Sequence, residues 1–518
     1  DEAYGLAFAQ QLKNKDIPEG GSKAVVLVDT AGSTAAGKHH AMRKSVKAFT
    51  DAVLDLIVDT PATREHVVDF LGRQELLYLG PDEQVIPADI NWIVNRAAQR
   101  GYPIPASFMS SKADAGINHK VYGVTSEGVF VFLDVALRKT GRDPRRDGFS
   151  VKITGGPDGD VAGNIIKIMN REYGAKVRIV GVADGTGCAE DPDGLSHGEL
   201  LRLFHESRPI VDFTFNRLGP KGVIHRVDTE EGMRARNSMH NRVKADAFVP
   251  AGGRPNTVNK NNWRDFLDAA GRPSSPLIVE GANLFITQEA RNLLHSEAAG
   301  VMIVKDSSAN KCGVICSSYE IMSSMLMDES EFKANKEAIV ADVLERLRAI
   351  ARQEAELLFR EYGHRPGSLP WFSEKISNSI NRLTDATLAA LDGSPPEDYE
   401  TLLLPLVRRH LPRTLADLAF DRVAERMPAQ YLRNAMASCL ASHIVYTEGV
   451  PFIESQPADR LSELAFEYVR REAEVTALAT AVEAAGAAGG AAGLDEAQRA
   501  DIAALLRKGG VRTRLGVF

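Results

Sequence analysis

The sequence predicts an α/β protein: a doubly wound sheet, preceded by a second α/β region and followed by a mostly helical one. Three observations carry that expectation. Short apolar runs recur between 149 and 305, and several end in Gly, Asn or Asp. A glycine-rich loop separates the first of these runs from a helix-like segment. Beyond 309 the apolar residues follow helical spacing.

Taken in order, residues 1–120 read as an α/β substrate domain. KAVVLVD (Lys23–Asp29) has strand character, residues 43–58 have helical spacing ended by Pro61, and ELLYLG (Glu75–Gly80) reads as a strand entering the loop GPDEQVIPAD. Residues 90–100 read as a helix broken by Gly101, Pro103 and Pro105. Residues 121–308 form the second region. The helix-like Ser126–Lys139 leads through a basic turn to VKIT, the glycine loop, the helix-like NIIKIMNREYG and then VRIVGVAD. A strand, loop, helix and strand in that order begin a doubly wound sheet. IVDFTF, KADAFVPA, PLIVEGAN and GVMIVKD read as its later strands. Residues 309–518 are mostly helical, as in Asp495–Lys508, and Ala481–Gly493 is low-complexity and reads as a flexible connector.

Bulk composition narrows the function classes. The 518 residues predict two to four domains, and 44% hydrophobic with 25% charged residues is ordinary for a soluble globular protein. A net charge of -7 gives no reason to expect a nucleic-acid partner. No apolar run reaches the roughly 18 residues of a membrane span, so no membrane association is expected. Four cysteines, at 188, 312, 316 and 439, are too few for a disulfide framework, which predicts a reducing, cytoplasmic setting. The chain begins without Met and within helical sequence, so upstream sequence is expected and the first domain reads as N-terminally incomplete. No histidine, cysteine or acid cluster has metal-ligand spacing, so no metal is expected.

The loop Thr154–Asn164, TGGPDGDVAGN, follows a strand and opens a helix. Glycines there let the backbone approach a pyrophosphate, and the helix N-terminus supplies free N–H groups and partial positive charge. Gly156, Asp158, Gly159, Asp160 and Val161 are therefore candidate cofactor contacts. Asp184 ends the next strand, 22 residues past Ala162. An acid about 20 residues on accepts hydrogen bonds from the adenosine ribose and repels a 2′-phosphate, which favours NAD over NADP. Loop, helix and acid together predict a Rossmann-type domain.

Two earlier segments carry candidate chemistry: KNKDIPEGGSK (Lys13–Lys23), and GPDEQVIPADIN (Gly80–Asn91) with Asp82, Glu83 and Asp89. Their order resembles the glutamate dehydrogenase family. IPEGGSK is similar to the family's Gly-Gly-x-Lys segment, which implies that Lys23 is catalytic. GPDEQVIPAD resembles a Gly-Pro-Asp…Asp segment, which implies proton transfer by Asp89. GINHKVYGVTSEGV resembles the segment joining the domains, with Thr125 at the nicotinamide carboxamide. VEGANLFIT places Asn283 at the nicotinamide end, and DSSANKCGVICSSYE places Ser317 at the substrate's side-chain carboxylate. The wording of GGPDGDVAGN, DPDGLSHGEL and PAGGRPNTVN is similar to the large, NAD-specific branch. Lys13 aligns, with a short gap, to a lysine for the α-carboxylate.

The sequence departs from the pattern in places. The family's substrate strand and first carboxylate-binding lysine lie upstream of the matched motif. The loop at Asp89 is one residue shorter, and Lys311 and Cys312 replace small residues.

The resemblance implies NAD-dependent oxidative deamination of L-glutamate to 2-oxoglutarate and ammonia by a homo-oligomer, a tetramer in that branch. Lys23, its pKa depressed by burial among cations, would activate water, and Asp89 would move protons at nitrogen. A dehydrogenase of leucine type and a non-catalytic NAD-binding subunit are the competing readings. Cys312 and Cys316, five residues or fewer from Ser317, are expected to be reduced thiols within reach of a thiol reagent.

Overall fold

The computed structural model describes residues 2–82, 84–112, 114–297, 300–395, 397, 399–485 and 494–515. Glu83 and residues 486–493 of the low-complexity stretch lie outside them. The chain divides into two compact units. The first comprises residues 1–14, 19–375 and 412–427, and the second residues 15–18, 376–411 and 428–518.

The first unit is organised by a seven-stranded sheet in the order β4-β3-β2-β1-β5-β6-β7. Its strands are β1 (Phe149–Thr154), β2 (Val177–Ala183), β3 (Gly187–Glu190), β4 (Val223–Arg226), β5 (Ala247–Pro250), β6 (Leu277–Val279) and β7 (Met302–Val304). β1 pairs in parallel with both β2 and β5, and β5, β6 and β7 continue in parallel. The order reverses at β1, so its carboxyl end opens on the crevice where ligands bind in such sheets. β3 and β4 add an antiparallel flank. β1 is buried along its whole length, as a central strand covered on both faces must be.

Nine helices of this unit are needed for the site: α1 (Glu2–Lys13), α2 (Ala35–Ile57), α3 (Pro87–Gln99), α4 (Val124–Lys139), α5 (Asp160–Tyr173), α6 (Glu230–Arg242), α7 (Gln288–Ser296), α8 (Cys312–Leu326) and α9 (Glu329–His364). α4 is the unit's central helix, buried over Val124 and Ser126–Leu137. Its Glu127 meets Arg348 of α9 at 2.6 Å and Arg171 of α5 at 3.2 Å. Burial alone raises that carboxyl, but the two guanidiniums outweigh it and hold it below its usual range. α2 and α3 share a smaller core built on Leu54, Ile90, Ile93, Ala97 and Phe108.

Three expected strands are absent. KAVVLVD has no regular structure and joins no ladder among the described residues, with Leu27 97% exposed. An apolar run needs a ladder partner and one buried face to act as a strand. ELLYLG contributes an isolated parallel bridge, Leu79 to Met109. IVDFTF forms two 3-10 turns, Ile210–Asp212 and Phe215–Arg217. Two N–H groups a ladder would use are taken by side chains: Ile210 donates to Asp184 at 2.7 Å and Thr214 to Glu199 at 2.8 Å.

The second unit is helical, with Glu400–His410, Ala429–Glu448, Leu461–Ala484 and Glu496–Leu515 among its described helices. The helix Leu369–Asp392 belongs to it from Ile376 onward. His443 and Glu472 pair within it at 2.6 Å. No described helix is long and apolar enough to cross a membrane.

Candidate functional site

The glycine loop runs from the end of β1 into α5. Gly155 has φ +105°, and a Cβ there would lie 2.8 Å from the Cβ of Ala162 and 3.0 Å from the Gly252 nitrogen, so only glycine fits. A Cβ on Gly156 would lie 2.8 Å from Asp184 Oδ2 and would also strike Asp158. The loop therefore brings Gly156, Asp158 and Asp184 to one place. Gly159 caps α5, its N–H donating to the Gly156 carbonyl at 2.9 Å, and Asp160 lies in the first helical turn. Burial raises the Asp160 carboxyl against the pull of His119 and Lys120. The Val161 carbonyl accepts from Ser126 of α4 at 2.9 Å. Thr154 Oγ1 and Asp160 Oδ1 are buried without a partner in the described residues. Asp184 Oδ1 accepts from the backbone and hydroxyl of Thr186, at 2.7 and 2.6 Å. Its Oδ2 accepts from Ile210, so the acid is held at the end of β2.

Thr125 lies at the start of α4. A Cβ on Gly313 of α8 would lie 2.8 Å from Thr125 Oγ1 and 3.8 Å from His119 Nδ1. Ser317, one turn along α8, has its Oγ 3.2 Å from Ser110 Oγ and 3.5 Å from His119 Nε2. Burial lowers His119, opposed by Glu320 and Asp160. Glu320 is fully buried and accepts from the backbone of Ser111 and Ile117 at 2.9 Å, which fixes the loop that carries His119.

Lys13 ends α1, is 4% exposed, and donates to Asn283 Oδ1 at 2.6 Å. Asn310 donates to the same oxygen at 2.9 Å. Burial pulls the Lys13 ammonium down to about 8 against the opposing pull of Asp306 and Asp82, with Lys23 adding to the drop. Lys23 pairs with Asp82 and is only partly covered, so the deep burial expected of it is found at Lys13 instead, which faces one cation, Lys23, and two acids, Asp306 and Asp82. Asp89 sits in the first turn of α3, 4% exposed, and accepts from the Ile86 N–H at 3.1 Å. Arg43 of α2 pairs with it and donates to the Gln84 carbonyl at 2.5 Å. No hydrogen bond or ion pair joins Asp89 to Lys23 or Lys13 among the described residues. The structure thus gathers Lys13 with Asn283, Thr125 with His119 and Ser317, and Asp184 with Gly156. It gives Lys23 and Asp89 separate partners.

Several site residues carried no signal as separate residues. His119, Asn310 and Arg43 are recognisable only through partners distant in sequence, such as Arg43 with Asp89. Lys311, a departure in the sequence, is fully buried and paired with Glu354 of α9. Cys312 and Cys316 are both fully buried, and burial pushes the Cys316 thiol well up. Ready reaction with a thiol reagent, expected from their position near Ser317, conflicts with that burial.

Comparison with known proteins agrees with this frame. Residues 116–362 match the Glutamate/Leucine/Phenylalanine/Valine dehydrogenase family. The chain is 37% identical over 86% of its length to a protein named "Probable NAD-specific glutamate dehydrogenase" from Schizosaccharomyces pombe, covering 41% of it. It is 35% identical over 87% of its length to the NAD-specific glutamate dehydrogenase of Neurospora crassa, covering 44% of that protein. The chain thus spans less than half the length of these relatives. Among solved structures it is similar to the hetero-hexameric glutamate dehydrogenase from Thermus thermophilus in its Leu-bound form. The TM-score is 0.52 at 20% identity, covering 76% of this chain and 79% of that one. A further glutamate dehydrogenase structure gives a TM-score of 0.51 at 16% identity, covering 73% and 74% of the two chains. These two likenesses concern the fold. Residues 116–362, which carry the dinucleotide cradle, are thus similar to the Glutamate/Leucine/Phenylalanine/Valine dehydrogenase family.

Proposed function

We propose that the chain carries the catalytic core of an NAD-dependent glutamate dehydrogenase. The reaction oxidises L-glutamate at Cα and releases 2-oxoglutarate and ammonia. The observation that carries the reading is the Lys13–Asn283 bond at 2.6 Å. It joins the candidate substrate lysine to the loop beside the dinucleotide cradle. The residues of the cradle fit NAD: a glycine turn that excludes side chains, unpartnered Thr154 Oγ1, and Asp184 beside Gly156. When bound, NAD supplies the hydride acceptor.

Lys13 holds the α-carboxylate and Ser317 contacts the distal one. Asp89 accepts the proton from the amine nitrogen, so that nitrogen is neutral as hydride leaves Cα. Lys23 activates the water that adds to the imine carbon and stabilises the developing oxyanion. Asp89 then returns a proton to nitrogen as ammonia departs. Thr125 and Asn283 orient the nicotinamide, Gly156, Asp158, Gly159, Asp160 and Val161 line the pyrophosphate path, and Asp184 accepts from the ribose hydroxyls. The protein works as a cytoplasmic homo-oligomer, a tetramer by resemblance. The test is NADH formation with glutamate against leucine, with and without NADP in place of NAD. Glutamate and NAD are the expected pair. Turnover of leucine alone, or NADH binding with no turnover of any amino acid, overturns the reading.

A further inference from the structure

Behind Asn283 lies a group of charges that the reaction itself does not use. Glu280 follows β6, Arg291 lies on α7 and Asp306 follows β7, with exposures of 0%, 3% and 0%. Arg291 forks onto Glu280, Nε to Oε2 at 2.8 Å and Nη2 to Oε1 at 3.1 Å, and its Nη2 lies 3.4 Å from Asp306 Oδ1. Removing three charges from water is costly, and apolar replacements of such triads are often as stable or more so. Stability alone is therefore a poor account of them.

Two of their remaining hydrogen bonds go to one loop, while Arg291 also donates to Gln288 at 3.4 Å and Asp306 accepts from the Ser307 N–H at 2.8 Å. Asp306 Oδ2 accepts from the Leu284 N–H at 2.8 Å, and Glu280 Oε1 from the Ile286 N–H at 3.3 Å. Leu284 has φ +56°, a left-handed conformation that a leucine adopts only when its surroundings enforce it. The enforced turn follows Asn283 directly, whose oxygen receives Lys13 and Asn310. Asn310 also donates to the Gly281 carbonyl at 3.1 Å, which closes the loop on itself. Asp306 has a second reach, for its charge supports the Lys13 ammonium against burial. The other charges facing Lys13 are Asp82, which supports it, and Lys23, which opposes it. Lys305 is next to Asp306 but is paired with Glu374 at 2.6 Å.

We propose that Glu280, Arg291 and Asp306 are positioning residues of the glutamate dehydrogenase site. They hold the Asn283–Leu284 turn, and with it the oxygen that receives Lys13, against the nicotinamide end. This inference rests on the function proposed above.

Two variants test the positioning role. Asp306→Asn keeps an oxygen for the Leu284 N–H, and NADH affinity then stays within about threefold. Arg291→Lys keeps a charge but cannot fork across two carboxylates. NADH binding then weakens by about tenfold, as for a lost buried polar contact, while the pH dependence of the glutamate KM stays in place.

Both are measured by NADH fluorescence and by kcat and KM across pH, with melting temperature as a folding check. Equal loss of every parameter in both variants indicates a merely structural role and overturns the proposal. So does a loss of NADH affinity in folded Asp306→Asn as large as that in Arg291→Lys. If Asp306→Asn does not fold, Arg291→Lys decides alone, and unchanged NADH affinity there is the refuting result. An unmodified protein that binds no NADH removes the functional reading as well. One that binds and turns over, with insensitive variants, removes only this inference.

Discussion

Replacing Lys13 with methionine is expected to stabilise the protein and disable it. The ammonium is 4% exposed and its pKa is drawn from 10.5 to about 8. At about 1.4 kcal/mol per unit, a charged Lys13 destabilises the fold by about 3 kcal/mol. Methionine has similar length and no charge to desolvate. It loses the bond to Asn283, a cost of about 1 kcal/mol. The net gain for Lys13→Met at pH 7 is therefore about 2 kcal/mol. The sign with pH follows from proton counting. The folded-state value lies below the unfolded one, so between about 8 and 10.5 the unfolded chain binds more protons and stability rises with pH. The penalty is complete below about 8 and relieved toward 10.5, so the advantage of Lys13→Met shrinks across that window. Urea denaturation of both proteins at pH 7 and pH 10 reads the difference directly. A methionine variant that is less stable at pH 7, or a difference independent of pH, would refute the reasoning. The same variant should lose glutamate affinity, the usual exchange of function for stability at a binding site.

Three further outcomes are expected. The protein should prefer NAD to NADP by at least about tenfold in kcat/KM, and Asp184→Ser should narrow that gap, with equal efficiency in the unmodified protein refuting the role. The Ser variant should also lose stability by about 1–2 kcal/mol, because Asp184 holds Thr186 and Ile210. Asp89→Asn should keep nucleotide and glutamate binding while turnover falls on the order of 100-fold, and near-normal kcat would remove Asp89 from the mechanism. Cys312 and Cys316 should resist a thiol reagent in the folded protein and react in urea, and rapid labelling of the native protein would contradict their burial.

The doubly wound half of the fold was legible because its parallel strands are short, mostly apolar and largely buried runs. VKIT, VRIVGVAD, KADAFVPA, PLIVEGAN and GVMIVKD all fall on strands of the sheet. The antiparallel flank was not legible. GCAE and VIHR are four residues each, and VIHR is only partly buried, so neither shows strong period-two patterning. KAVVLVD misled for the opposite reason: composition favours a strand, but pairing decides one. Near the candidate site, a juxtaposition tied to backbone shape, such as that of Gly156 and Asp184, could be expected from the sequence. Residues tied to tertiary pairing could not. An acid ending an apolar run, such as Glu280 or Asp306, looks like an ordinary strand terminus until Arg291 is seen between them.

The partners already present at the two lysines argue for different roles. Lys23 is paired with the carboxylate of Asp82. A substrate carboxylate arriving there exchanges one ion pair for another and gains little. Lys13 donates to a neutral amide oxygen, and its charge is only partly supported by Asp306 and Asp82. A substrate carboxylate there converts a neutral acceptor into a charge-assisted one, the stronger kind of bond. It also relieves the desolvation strain that pulls the Lys13 ammonium down. Anion binding is thus more favourable at Lys13 than at Lys23, which already has a counter-charge in Asp82.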